Sequence, residues 1–239
     1  DHLFMQAVQL LNRGQGGWPM SVFVEPGELR PFIAGTYFPP EDRHGRPGFA
    51  TVLQQVAAYW RDHRPEVLEQ AARVADRIRW LAQPEAADGA LDEATCTRGV
   101  EQLLAVHDPV HGGFGGGPGR PKFPTPVNLE LLLAAGGDRP EVAAAVRRTL
   151  DAMAMGGIHD QIGGGFHRYS VDERWEVPHF EKMLYDNAQL LGLYARSAGG
   201  TGDPLHRAAA EGIVAWAGRE MRRSGGGFAS ALDAEVDHR

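Results

Sequence analysis

The chain of 239 residues contains one cysteine, Cys96. One thiol makes no internal disulfide and no CxxC pair, so these residues build neither a disulfide-stapled scaffold nor a self-contained dithiol oxidoreductase. Sparse cysteine fits a reducing compartment, and a cytoplasmic location is the expectation. No stretch of about 18 apolar residues occurs, which excludes a membrane-spanning helix. The net charge is −7 with a pI near 5.8, and no basic stripe runs through the chain, so nucleic acid is excluded as a partner. The run GGFGGGPG at 112–119 is dense in glycine but lacks GxGxxG and a Lys-Ser/Thr ending, and reads as a lid loop instead of a phosphate cradle. His167 and His179 are too far apart to be a local ligand pair, and no cysteine joins them. His179-x-Glu181 is half of a zinc deaminase motif whose PCxxC half is missing. Neither a metal nor another cofactor is expected.

What is present is an apolar content of 43%, enough for a core. Leu3, Ala7, Leu10 and Leu11 share a helical face, and Gly14, Gly16 and Gly17 end that helix. MSVFVEP and PFIAGTYF read as two strands of a hairpin across the turn at Pro26-Gly27. Helical patterns follow over FATVLQQVAAYW and over PEVLEQAARVADRIRWLA, where Pro65 suits a first turn. The linker QPEAADGA places a domain boundary at Pro84, giving domains 1–83 and 84–239.

After Pro84 the pattern is helical and no strand is expected. Asp92 caps a helix running to His107. Further helices are expected over 126–136, 140–155, 179–198 and 203–223. The Gly-Gly-Phe sequences ending at Phe114, Phe166 and Phe228 recur with similar surroundings. Repeated helical hairpins with long loops on one side suggest an α/α toroid, whose inner helices bring their first turns to a common cleft. The chain begins at Asp1 without methionine and ends just after a glycine-rich turn, so a fragment is expected.

The motifs GQGGWPMSVFVEP, PFIAGTYFPP, PKFPTP and HDQIGGGFHRYSVDERWEVPHFEKMLYDNAQL resemble those of one family, the thioredoxin-like proteins fused to an (α/α)6 toroid that include the spermatogenesis-associated thioredoxin-domain proteins. The resemblance covers almost the whole chain. It implies a thioredoxin-like domain whose CxxC helix precedes Asp1, then a toroid similar to N-acylglucosamine and cellobiose 2-epimerases and to six-hairpin glycosidases. The expected fold class is multidomain and mainly α: a partial thioredoxin-like α/β domain followed by a partial toroid. Trp18-Pro19 matches the thioredoxin position of a cis proline. A toroid of five helices leaves an apolar flank, through which copies would self-associate.

The stretch Gly156–Asn187 holds most side chains able to move protons. Imidazole near its ordinary pKa serves as proton donor or acceptor, as sugar epimerases require. Glycosidases need paired carboxylates, for which Asp160, Glu176, Glu181, Asp186 and Asp233 are candidates. His159, Asp160, His179 and Asp186 are the expected catalytic residues. His167, Arg168, Tyr169, Trp175, Glu181, Lys182, Tyr185 and Asp233 are the expected substrate contacts, with Tyr169 and Trp175 stacking on a sugar ring. Helical spacing puts His179, Lys182 and Asp186 on one face. The reading is a carbohydrate-active toroid of epimerase or glycosidase type, set against two alternatives: a non-catalytic ligand- or partner-binding protein, and a redox protein that needs an upstream CxxC.

Exchange of disulfides needs a second thiol to resolve the mixed disulfide. This chain alone is therefore expected to reduce insulin no faster than background, with Cys96→Ser making no difference.

Overall fold

The computed structural model describes residues 2–83, 92–115, 117 and 119–234. Contacts divide the chain into two compact units, Asp1–Gly89 and Ala90–Arg239. The boundary expected at Pro84, with most of its linker, lies outside the described residues. No described helix is long and apolar enough to cross a membrane.

In the first unit, α1 (His2–Leu11) is followed by β1 (Ser21–Val24) and β2 (Pro31–Gly35), then α2 (Phe49–Asp62) and α3 (Arg64–Ala82). The two strands pair antiparallel, with Phe23 opposite Ile33 and an irregularity before Val24. The hairpin turn is organised by Glu25, whose carboxylate accepts from the N–H groups of Gly27 and Glu28 and from the Arg30 guanidinium. Phe32, Val67 and Ala71 form the core, with Phe23, Ile33, Val56, Tyr59 and Trp60 packed against it. The Trp18–Pro19 bond is cis, as expected.

The second unit contains α4 (Glu93–Val106), α5 (Pro126–Ala135), α6 (Pro140–Met155), α7 (Leu184–Thr201) and α8 (Pro204–Trp216), the last continuing into a π turn at Ala217–Met221. Asp92 caps α4 by accepting from Thr95 N–H, and Asp203 caps α8 by accepting from Leu205 N–H. Cys96 is exposed on α4. Leu129, Leu132, Leu150, Met153, Phe166, Leu190, Leu193 and Ile213 build one apolar core between these helices.

Two expectations are corrected. The helix expected from His179 begins only at Leu184. Short strands do occur in this unit: β3 (Tyr169–Ser170), β4 (Pro178–His179), β5 (Lys182–Met183) and β6 (Ala231–Leu232). Tyr169 pairs with His179, and Lys182 with Leu232. His179, Lys182 and Asp186 therefore do not share a helical face. The reason is the destination of Lys182, whose ammonium reaches back to Asp160, so the chain stays extended until Met183.

These strands disclose a repeat closer than Gly-Gly-Phe alone. Each of the first two loops begins with His-Asp, at His107-Asp108 and His159-Asp160. Asp108 pairs with Lys122 and Asp160 with Lys182, both at 2.7 Å. The lysine also donates to a glycine carbonyl of its own loop, Gly112 at 2.8 Å and Gly164 at 2.8 Å. It lies over a buried tryptophan, Lys122 over Trp175 at 5.3 Å and Lys182 over Trp216 at 5.4 Å. Its backbone pairs with the next loop: Lys122 bridges Ser170, and Lys182 bridges Leu232. Ser170 and Leu232 each stand four residues after the loop phenylalanine, Phe166 and Phe228. The three loops are thus stitched edge to edge, each lysine serving as ion-pair partner and as β-bridge. Glycine is required where the backbones meet: Gly164 has φ +78°, and a Cβ there would lie 2.3 Å from the Gly212 carbonyl of α8.

Removing one partner of a buried ion pair leaves an uncompensated charge. Lys182→Met is expected to lower unfolding stability by about 3–5 kcal/mol in denaturant titration. The double variant with Asp160→Leu should recover most of that loss. A double variant no more stable than the single one would contradict this account.

Candidate functional site

The polar residues of Gly156–Asn187 lie on this loop face, but they do two different jobs. His159 packs inward. Its ring stacks on Phe166 at 4.6 Å, its Nδ1 is 3.1 Å from the Ala154 carbonyl, and its Nε2 is buried near Gly212 of α8 without a hydrogen-bond partner. Burial lowers its pKa. His107 occupies the matching place one hairpin earlier, against Phe114 at 5.6 Å. Burial alone would raise the Asp160 carboxyl, but the Lys182 ammonium and the N–H groups of Gly163 and Ile162 outweigh it and hold the pKa at about 2. Asp108 is held at about 2 by Lys122, His111 and Val110 against the same opposing burial. Because the aspartate–lysine pair over a tryptophan is built twice, Asp160 and Lys182 are frame elements of the loop. His159 shares the stacking of His107, but the Nε2 of His107 meets the Thr149 hydroxyl at 3.1 Å, whereas that of His159 meets no partner. Trp175, expected as a stacking surface, is wholly buried; its indole N–H donates to the His111 carbonyl and its face carries Lys122.

A second group adjoins the frame. His167 is only 7% exposed, yet its Nδ1 has no hydrogen-bond partner. Burial, and then the charge of Lys182, lower its pKa to about 4, so its ring is neutral at pH 7. Its neighbour is Phe180, edge-on at 5.3 Å. His179 Nδ1 is likewise buried without a partner. Its ring stacks on Tyr169 at 4.7 Å, and Tyr169 stacks on Phe123 at 4.9 Å, a three-ring ladder whose outer member is half exposed. Arg168 and Glu181 pair at 2.8 Å. In the first turn of α7, burial raises the Asp186 carboxyl to about 6 against the opposing charge of Arg168, and Tyr185 is exposed beside it. Asp233 follows β6 at the surface.

The fully buried Asn187 holds this group to α7. Its side-chain oxygen accepts from Phe166 N–H at 2.7 Å, and its amide donates to the carbonyls of Phe166 and Met183 at 2.9 Å each. Sequence reasoning passed over Asn187, Lys122, Asp108 and Trp216. Aligning His107-Asp108 with His159-Asp160, not only the glycines, would have pointed to the frame. Among the described residues, the donors close enough to hold a metal are Asp151, Asp203 and His206. They stand outside the loop cluster, with Arg147 already spanning both carboxylates at 3.5 and 3.4 Å.

Residues 1–79 match the Thioredox_DsbH family, described as a protein of unknown function, DUF255. Over 98% of its length the chain is 41% identical to Spermatogenesis-associated protein 20 of Homo sapiens, and it spans 30% of that protein. It is 40% identical, over 82% of its length, to an uncharacterized protein of Caenorhabditis elegans, and spans 27% of it. The solved structure of cellobiose 2-epimerase from Spirochaeta thermophila DSM 6192 matches with a TM-score of 0.51 at 20% identity, covering 59% of this chain and 39% of the epimerase. The chain thus joins a thioredoxin-like N-terminal part to helices with the fold of an α/α toroid.

Burial raises the folded-state pKa of Asp186 above its ordinary 3.8, to about 6. The folded state therefore holds the proton more tightly than the unfolded one, and stability falls as pH rises from about 4 through 6. Asp186→Asn removes this loss. The variant is expected to unfold at higher denaturant than the parent at pH 7 and at about the same denaturant at pH 3.5. Equal midpoints at pH 7 would show that Asp186 is not strained in the folded state.

Proposed function

We propose that the loop face of the helical unit binds a small uncharged polyhydroxylated molecule of the carbohydrate class, and that His167, His179 and Asp186 act on it by proton transfer. The observation that carries this reading is the combination of unpartnered imidazole nitrogens with aromatic faces: Nδ1 of His167 and Nδ1 of His179 are buried without partners, as is Nε2 of His159 in the frame. Buried polar atoms without partners cost about 1–3 kcal/mol each, and sugar hydroxyls, which both donate and accept, would satisfy them. The Phe123–Tyr169–His179 ladder and the exposed Phe180 offer aromatic faces to the apolar side of a pyranose. The cations at the site are already paired, Lys182 with Asp160 and Arg168 with Glu181, which disfavours an anionic ligand. A carboxyl group with pKa about 6 and a neutral imidazole, brought by the first turn of α7 and by the preceding loop, are groups suited to acid–base work near neutrality. The solved cellobiose 2-epimerase contributes the fold to this reading, while the choice of ligand class rests on the rings and the imidazoles.

This narrows the expected site. His159, Asp160, Lys182 and Trp175 become its support, and His167, Arg168, Tyr169, His179, Glu181, Tyr185 and Asp186 its surface. The redox alternative needs thiols beyond Cys96 and is a proposal about a longer protein.

Saturation-transfer NMR with a panel of mono- and disaccharides is the direct test. Contacts to at least one neutral sugar are expected, with His167→Ala and Tyr169→Ala each weakening binding tenfold or more while the thermal midpoint shifts little. No transfer to any sugar, or transfer unaffected by both variants, would remove the proposal.

A further inference from the structure

A second polar arrangement stands among α6, α7 and α8, apart from the loop face. The Ser197 hydroxyl lies 2.7 Å from Nδ1 of His206, and Nε2 of His206 lies 2.8 Å from an Asp151 carboxylate oxygen. His206 is 1% exposed, and the Tyr194 ring packs edge-on against it at 5.4 Å. Tyr194 is itself fixed by donating to the Leu150 carbonyl at 2.8 Å. Arg147 approaches the other Asp151 oxygen at 3.5 Å. Ser197 and His206 line a cavity of about 570 Å³ whose walls include Leu133, Ala134, Ala144 and Val146.

We propose that Ser197, His206 and Asp151 form a serine-nucleophile site that hydrolyses small uncharged esters with a short apolar acyl group. The hydrogen bonds fit the roles. Asp151 accepts the Nε2 proton of His206, which leaves the Nδ1 lone pair to accept the Ser197 hydroxyl proton. A nucleophile within hydrogen-bond reach of a base, with the base oriented by a third group, is recognised by this geometry and not by order in the chain. Depth matters as well: a cavity of this size receives an acyl chain, and its aliphatic walls reward an apolar one. The charged side chains at its edge are already paired, Arg147 with Asp151 and Asp203, and Arg196 with Glu130, so an uncharged substrate is favoured.

In the first step the Ser197 oxygen bonds to the acyl carbon while its proton passes to Nδ1 of His206. The carbonyl electron pair moves onto oxygen. Collapse of that adduct breaks the bond to the alcohol, which leaves with the proton from His206. Water then attacks the acyl-serine, again giving its proton to Nδ1, and the second collapse returns the Ser197 hydroxyl and releases the acid. Asp151 stabilises the imidazolium in both halves.

The test is labelling by a fluorophosphonate, read by intact mass and peptide mapping. A single adduct on Ser197 is expected in the unaltered protein, together with hydrolysis of p-nitrophenyl butyrate that Ser197→Ala reduces to the buffer rate. Asp151→Asn should slow hydrolysis by a factor on the order of 10⁴, as when the orienting carboxylate of a triad is lost. The proposal is overturned if the folded protein takes no adduct at Ser197, or if Asp151→Asn, with its circular dichroism unchanged, hydrolyses the ester as fast as the parent. The first outcome needs no variant and so does not depend on how well substitutions at these helix contacts fold.

Discussion

The second unit hangs on a lysine ammonium taken out of water. Lys122 and Lys182 are almost wholly buried, and a buried cation persists only where an anion and further acceptors surround it. Each lysine has an aspartate, a glycine carbonyl and the face of a tryptophan. Meeting those demands dictates much else. The glycines must let backbone approach, the aspartate must start a tight turn, and the chain carrying the lysine must run extended beside the next loop. One local requirement thereby orders three loops along one face of the helices.

That frame explains why so many polar groups collect on the loop face, and why they are not equivalent. The charged and amide groups of the frame are satisfied: Asp160 has its lysine and two N–H donors, and Asn187 uses both ends of its amide, while the frame rings His159 and Trp216 each keep one buried nitrogen without a partner. Groups the frame does not use are left with open valences. His167 and His179 keep ring nitrogens without partners, and Asp186 is half-buried, with only the opposing charge of Arg168 to lower its pKa. A folded chain retains such costs at sites that serve something other than stability.

The Ser197–His206–Asp151 chain has a different character. It is satisfied at every atom, so it stabilises the contact among three helices whatever else it does. Its interest lies in where it opens, because the hydroxyl at its end faces a cavity with aliphatic walls. Two hairpins meeting through small side chains, Ala134, Ala143, Ala144 and Gly200, leave that space between them.

Much of the architecture was legible in the sequence, since it depends on short-range rules. Apolar periodicity marked α1 to α6, proline and Asp92 marked helix starts, the strands flanking Pro26-Gly27 marked the hairpin, and recurring Gly-Gly-Phe marked the successive loops. Periodicity failed at His179. The spacing of His179, Lys182 and Asp186 satisfies a helix on paper, but the extended path of Lys182 is set by an aspartate 22 residues earlier. Residue type pointed to His159, Asp160 and Trp175, and only tertiary packing showed Asp160 paired with Lys182 and Trp175 wholly buried, because whether a polar atom is already bonded depends on chain segments far away in sequence. The same holds for Ser197, His206 and Asp151. Nothing local marks them, and three helices had to pack before their atoms met. Local physics therefore determined the elements and their order, and long-range contacts decided which polar groups are bonded within the fold and which keep an atom without a partner.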